Sequence, residues 1–259
     1  MNRCAAICQI MILLFCSCSQ QKTCNTIISG RIQDAGSRMQ DAGARMRDAG
    51  SRMLLLEELD LDHSSGLDSV VLNNEGEFSL RLSSDSIRIC LLRLPECEPL
   101  VLEIVPGDSV KVVGAFSSFP EDVTISGSLN SSDLQGFFKV SAKNKVSFDS
   151  IQNILISRQD DPDFAKLTST LDELARPIWE RQKTLEKDYI DKHPASLTSL
   201  LVLNHALSLS PVLKFDEDSL YFLRLDSSLN HAFPGNKHAE FHHKRIIQAR
   251  ELKHPAGGS

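Results

Sequence analysis

Between Asp68 and Gly114 apolar and polar residues alternate in short runs separated by turn-forming residues. Glu77-Phe78-Ser79-Leu80-Arg81-Leu82 alternates over its whole length, the period of a strand with one buried and one wet face, so Phe78, Leu80 and Leu82 are expected in a core. Asn73-Asn74-Glu75-Gly76 supplies residues that tolerate positive φ, and Ser69-Val70-Val71-Leu72 before it is apolar and β-branched; together they predict a hairpin. Ile87 to Leu94 and Leu100 to Val105 repeat the arrangement about Pro95-Glu96-Cys97-Glu98-Pro99. Pro106-Gly107-Asp108 then leads into Ser109-Val110-Lys111-Val112-Val113. Such consecutive hairpin-like connections predict an antiparallel β-sandwich or barrel-like module.

After the turn Ile125-Ser126-Gly127-Ser128-Leu129-Asn130 the pattern changes period. Leu171, Leu174, Ile178, Leu185 and Tyr189, with Trp179 beside them, recur at helical spacing. Pro177 is expected to kink that helix or to start a new one. Pro194 sits where a helix can begin, and Leu197, Leu200, Leu201 and Asn204 continue one face. Further helices are predicted over Asp216–Ala232 and Lys237–Leu252, separated by Phe233-Pro234-Gly235-Asn236. The class is therefore α+β, with a β module over 26–130 and a helical region over 131–259.

Composition changes this picture little. With 24% charged and 41% hydrophobic residues the chain of 259 is ordinary for a globular protein. Its formal charge of −6 argues against nucleic acid as a partner, because phosphate binding is driven by clustered Lys and Arg. Removing residues 1–17 takes away Arg3 alone, leaving 27 basic against 34 acidic side chains and a charge of −7.

The first residues carry the clearest address. Met1-Asn2-Arg3 is a short positive start, Ala5 to Phe15 is almost continuously apolar, and Ser17 precedes Cys18, the arrangement of a lipoprotein signal peptide over 1–17. The apolar run is too short for a permanent membrane span. Leu13-Leu14-Phe15-Cys16-Ser17-Cys18 resembles a lipobox, although Phe15 and Cys16 are not its preferred residues; Cys18 is the acylation candidate and Cys16 the fallback. Residues 18–25 then form a tether. The partner so implied is a membrane, reached through a lipid anchor on the periplasmic side of a Gram-negative-type envelope.

Of seven cysteines, Cys4, Cys8 and Cys16 fall in the signal, leaving Cys18, Cys24, Cys90 and Cys97. None forms a C-x-x-C pair, the usual motif for thiol–disulfide exchange. With Cys90 in a strand and Cys97 in the next turn, about 3.3 Å per residue puts them ~15 Å or more apart, beyond the ~4.4–6.8 Å a disulfide allows. Both are expected as thiols, Cys90 buried and Cys97 more exposed.

An internal repeat lies within 33–53. Gln33-Asp34-Ala35-Gly36-Ser37-Arg38-Met39, Gln40-Asp41-Ala42-Gly43-Ala44-Arg45-Met46 and Arg47-Asp48-Ala49-Gly50-Ser51-Arg52-Met53 are nearly identical heptads. Met39, Ala42, Met46, Ala49 and Met53 trace a coiled-coil seam, but each heptad carries a Gly that costs about 1 kcal/mol inside a helix. Tandem duplication of a loop between strands at Thr26–Ile32 and Leu54–Leu61 is the better reading. Without two of the copies that loop is an ordinary hairpin, and lengthening it costs only on the order of 1 kcal/mol.

The order of these motifs resembles a known family. A lipoprotein signal is followed by Asp68-Ser69-Val70-Val71-Leu72, Gly76-Glu77-Phe78-Ser79, Val105-Pro106-Gly107-Asp108-Ser109-Val110, Ile125-Ser126-Gly127-Ser128 and Tyr189-Ile190-Asp191-Lys192-His193-Pro194-Ala195-Ser196. This resembles the N-terminal region of cell-envelope TlpA/ResA-like thiol:disulfide oxidoreductases, from about Thr26 to Glu251. The resemblance implies a domain of unknown function that precedes a thioredoxin-like domain carrying the redox cysteines. No residue here matches that redox motif, and the sequence ends at His254-Pro255-Ala256-Gly257-Gly258-Ser259, about where that domain would start. Two expectations follow: a non-catalytic binding or accessory lipoprotein that contacts an envelope protein, or a remnant of such an oxidoreductase.

Other chemistry is thin. His238 and His242 have an i, i+4 spacing that can chelate a metal, but the stretch is not H-E-x-x-H and a wet helical face is expected. Glu57, Glu58, Asp60 and Asp62 imitate a carboxylate cluster and are expected to be solvated. Gly107-Asp108-Ser109 and Ser126-Gly127-Ser128 are read as turns, since neither is a G-x-S-x-G elbow. No catalytic residue, cofactor site or metal site is assigned.

Overall fold

The structure, a computed structural model, describes residues 24–34 and 53–253. Eight strands make two open four-stranded sheets: β1 (Cys24–Gln33), β2 (Met53–Leu59), β3 (Ser64–Val71), β4 (Glu77–Ser84), β5 (Arg88–Arg93), β6 (Leu100–Ile104), β7 (Ser109–Ala115) and β8 (Thr124–Ser126). Their orders are β4-β1-β7-β8 and β3-β2-β5-β6. The helical half comprises α1 (Leu129–Ser157), α2 (Phe164–Lys192), α3 (Thr198–Leu203), the two-residue strands β9 (Ala206–Leu207) and β10 (Ser210–Pro211), α4 (Phe215–Ala232) and α5 (Lys237–Lys253). The class is α+β.

The alternation in β4 works as the sequence predicts: Phe78, Leu80 and Leu82 are buried between the sheets with Ile28, Ile32, Leu54, Leu56, Leu92 and Leu102. The connections differ from the expected run of hairpins. Among the eight strands only β2–β3, β5–β6 and β7–β8 join neighbours of one sheet, and β1 pairs with β7 in parallel. Asn73–Gly76 is a corner between sheets, because Gly76, at φ +77°, turns the chain so that its carbonyl accepts from the Ile32 amide at 2.8 Å. A Cβ there would lie 2.0 Å from the Ile32 carbonyl oxygen. The chain from β1 to β2 likewise crosses between sheets and is not a hairpin. The heptads themselves fall largely in 35–52, outside the described residues.

In sheet β3-β2-β5-β6 the strands β5 and β6 are covered on both faces, which adds a helical third layer to the sandwich. The sheet's inner face enters the sandwich core, while Ile89, with Leu59, Ile87 and Val101, packs against Leu134, Phe137, Tyr189, Leu197 and Leu200 of the helical half. The entry to α1 is fixed by Ser128, whose side chain accepts from the Ser131 amide as an N-cap.

Helix α2 runs from Phe164 to Lys192 through Pro177, with no new start there. Apolar contacts on both sides of the proline hold it: Leu171 is buried, Ile178 and Trp179 pack on Phe148, and Tyr189 and Ile190 are buried beyond. The helix expected from Pro194 begins four residues later, at Thr198, after turns. Because Pro177 is exposed and lacks an amide to donate, Pro177→Ala should raise stability by about 1–3 kcal/mol. Urea titration followed by circular dichroism checks this; an unchanged or lowered midpoint would mean that the proline fits the helix without cost.

Candidate functional site: a groove between the sandwich and the helices

One end of the sandwich meets the helical half in a groove of about 640 Å³. It is lined by Asp85 to Arg88 from the β4–β5 turn, Glu103, Val105 and Pro106 from the end of β6, Asn130 and Ala195, and Phe233 to Lys237 from the α4–α5 turn, with Glu58. Other hollows, near Ser208 and near Phe241, are about half that size. Both chain halves are needed to form this one. Its walls mix apolar Ile87, Val105, Phe233 and Pro234 with charge, the composition of a site that holds a ligand by shape and orients it by a few polar groups.

Glu103 is the most constrained group in it. On β6 it alternates with Leu100, Leu102 and Ile104, which face the sandwich core, so it points to the other side and is covered by helices to 1% exposure. No cation meets it. Ser196 Oγ donates to Oε2 at 2.7 Å, the Thr198 amide donates to the same oxygen at 3.0 Å, and the Asn130 amide group donates to Oε1. Tyr189, Thr198 and Ser196 form a hydroxyl chain behind it, at 2.8 and 2.6 Å, which ends at the carboxylate; the Tyr189 hydroxyl also reaches the Asn130 carbonyl at 3.4 Å. Burial pushes the Tyr189 phenol well above its ordinary range. The backbone of Glu103 is satisfied too: its amide donates to Ser131 Oγ at 2.9 Å, and its carbonyl accepts from Ser128 and Ser131 at 3.1 Å.

The acids beside the groove are paired, not merely solvated as the sequence suggests. Glu58 bridges Arg88 and Lys237 at 2.7 Å each, and Lys237 also reaches Asp60 at 3.1 Å. Burial pulls the Lys237 ammonium down, but the bonds to Glu58 and Asp60 outweigh it and leave it raised. The Lys237 bond is also the chief reason that the Asp60 carboxyl is lowered. Glu57 meets Arg93 at 3.3 Å, and Asp62 meets His63 at the surface. With Glu58 and Asp60 offset by Arg88 and Lys237, Glu103 and Asp85 meet no cation among the described residues, so the residual charge of the groove lining is negative.

His238 and His242 do not lie on a wet face. His242 is buried and His238 half-buried; their Nε2 atoms meet the carbonyls of Phe222 at 3.2 Å and Leu59 at 3.1 Å. A carbonyl can only accept, so each Nε2 carries a hydrogen and is closed to a metal. Among the described residues no three His, Cys, Asp or Glu side chains gather as metal ligands. The histidines instead pin α5 to α4 and β2. Cys90 is buried, and burial pushes its thiol up to about 12, far from the thiolate that exchange chemistry requires. Cys97 is half-buried and forms no disulfide with it, as the spacing predicts. Cys18 and Cys16 lie outside the described residues.

A second polar cluster has the look of catalytic machinery. Glu186 Oε1 is 2.9 Å from His205 Nδ1, and His205 Nε2 is 3.1 Å from Ser141 Oγ. Ser141 lies mid-helix and buried, where the surrounding amides are committed to the helix and none is left to stabilise an oxyanion. Asn144 and Gln182 continue the cluster at 2.9 Å. It joins α1, α2 and the segment after α3 as a buried polar seam. Burial raises the Glu186 carboxyl against the pull of His205 and Gln182, and its Oε2 has no partner. Buried His193 has its Nε2 3.0 Å from Asp133 but out of line for a hydrogen bond.

The chain matches no protein-family model, no curated protein and no solved structure.

Two outcomes test this account. Glu103→Ala removes the acceptor shared by Ser196, the Thr198 amide and half-buried Asn130 and should cost about 2–3 kcal/mol, whereas exposed Asp85→Ala should stay within about 0.5 kcal/mol; equal midpoints in urea would remove Glu103 from its structural place. Burial, despite the opposing carbonyl bonds, depresses both His238 and His242 below their ordinary 6.5. Their contribution is therefore complete above pH 6.5 and falls away as the pH drops through that value toward the folded-state values. Thermal melts at about pH 7 and about pH 5 should show a smaller acid loss for His238→Gln/His242→Gln than for the parent; an identical loss would contradict it.

Proposed function

We propose that this protein is a lipid-anchored accessory module of a Gram-negative-type cell envelope, held on the periplasmic side through Cys18, and that it engages an envelope partner through the groove without chemistry of its own. The observation that carries the proposal is where the groove opens. Cys24 pairs with Ser84, the Ile27 amide donates to the Asp108 carbonyl at 2.9 Å, and Thr26 Oγ1 donates to the Val105 carbonyl at 3.3 Å. The groove-lining turns at Asp85–Arg88 and Val105–Pro106 therefore sit beside the start of β1. That start follows Cys18 by only six residues, a reach of at most about 20 Å. A lipid on Cys18 holds the groove's mouth close to the membrane surface, where a membrane-associated partner is presented.

The lipobox-like Leu13 to Cys18 and the motif order that resembles the region before the thioredoxin-like domain of TlpA/ResA-like proteins support this reading. So does the groove's residual charge, which suits a partner that offers a basic group. Expression of the full chain in a Gram-negative host with labelled palmitate provides the test. Wild type should incorporate label and sediment with membranes, and Cys18→Ala should lose both, while Cys16→Ala keeps both. Label retained in Cys18→Ala, or absent from wild type, would overturn the proposal.

A further inference from the structure

Glu103 is buried in the groove lining, and among the described residues its carboxylate meets neutral donors only. A carboxylate offers about four lone-pair sites, two on each oxygen. Oε2 uses both, on the Ser196 hydroxyl at 2.7 Å and the Thr198 amide at 3.0 Å. Oε1 uses one, on the side-chain amide of Asn130. The remaining site is therefore on Oε1 alone. A carboxylate held out of water without a countercharge attracts a cation more strongly than one in solvent, because the surroundings screen it less.

The walls select the stem that carries such a cation. Glu103, in β6, and Val105, just past its end, are two residues apart and lie on one side of the chain. Exposure falls from 41% at Val105 to 1% at Glu103, so along this wall the groove runs from an open apolar edge to an acid at its bottom. Ile87, Phe233 and Pro234 add apolar surface. The two cations of the lining, Arg88 and Lys237, are each held by Glu58 at 2.7 Å, and exposed Asp85 adds a further negative charge. A long apolar stem with one positive tip matches that gradient.

The single free site also discriminates between basic groups. A guanidinium presents a rigid fork that matches both oxygens of a carboxylate, and with Oε2 filled the fork lacks its second acceptor. An ammonium is a compact charge with rotatable donors and needs Oε1 only. We infer, on the reading of the groove as a partner site, that it seats a lysine side chain of the envelope partner, with the stem along Val105, Ile87 and Phe233 and the ammonium on Glu103 Oε1. The groove's volume of about 640 Å³ leaves room for apolar residues flanking that lysine.

Fluorescence anisotropy tests this, with the full chain titrated into acetyl-Ala-Leu-Lys-Leu-Ala-amide labelled at its C-terminal end. The lysine peptide should bind saturably below about 1 mM. Arginine in its place lacks the single-point fit and Nε-acetyl-lysine lacks the charge, and each should bind about tenfold more weakly or worse. Glu103→Gln should lose about tenfold or more against the lysine peptide, whereas Asp85→Asn, at an exposed position, should lose no more than about threefold. Val105→Arg sets a cation of the chain's own in the groove and should abolish binding; it alters an exposed side chain, so it decides the matter even where Glu103→Gln does not fold. Absence of saturable binding, an arginine or acetyl-lysine peptide that binds equally well, or wild-type binding by folded Glu103→Gln or by Val105→Arg overturns the inference. Cys18 takes no part in this titration, so failure of the anchor leaves peptide binding intact, and failure of peptide binding leaves the palmitate result intact.

Discussion

Strands β5 and β6 of the second sheet have no wet face, and the burial of Glu103 shows what that demands. A carboxylate taken out of water must be met by donors, and those that meet it come from the start of α1 and from the segment between α2 and α3. The helical half therefore serves as the sheet's outer wall. Ile89 and Val101 reach it from the sheet and Leu134, Phe137 and Leu197 from the helices, so the chain changes from strand to helix without its core coming to an end. The groove follows from the same contact: it is the space left where the turn between α4 and α5 and the turns at the end of the sandwich fail to close over Glu103 and its neighbours.

Much of this architecture is legible in the sequence. The alternation in β4 places its inward residues, Phe233-Pro234-Gly235-Asn236 marks the break between the last two helices, and the order of periods gives the class. What is less legible depends on distant partners. Ile89-Cys90-Leu91-Leu92 is apolar at every position, the mark of a strand buried on both faces, yet a run so short does not tell what covers it. Glu103 occupies an alternating polar position that by pattern alone belongs in solvent. His238 and His242 look like surface residues until Leu59 and Phe222 supply carbonyls.

Helix α1 is the hardest element to read because its pattern is mixed. It buries Ser131, Ser141 and Asn144 beside Leu134, Phe137 and Phe148, and exposes Val140, Val146 and Ile156. Its inner face is chosen by hydrogen-bond partners, the backbone of Glu103, the ring of His205 and the amide of Gln182. Hydrophobic periodicity carries no information about such a choice. The paired acids around Glu58 have the same origin: Arg88 is thirty residues away in the chain and Lys237 far beyond it, and only the fold makes them neighbours.

The crossing from β1 to β2 bears on how such a chain changes over time. A hairpin couples the length of its loop to the register of its two strands, so an added heptad would be felt in every rung. Here the strands on either side belong to different sheets, and each takes its register from other neighbours, β4 and β7 for one, β3 and β5 for the other. Repeats can accumulate in that passage or be lost from it while every ladder keeps its pairing. It is a place where the gene can vary its length at little cost to the fold, and where a reporter peptide can be spliced in.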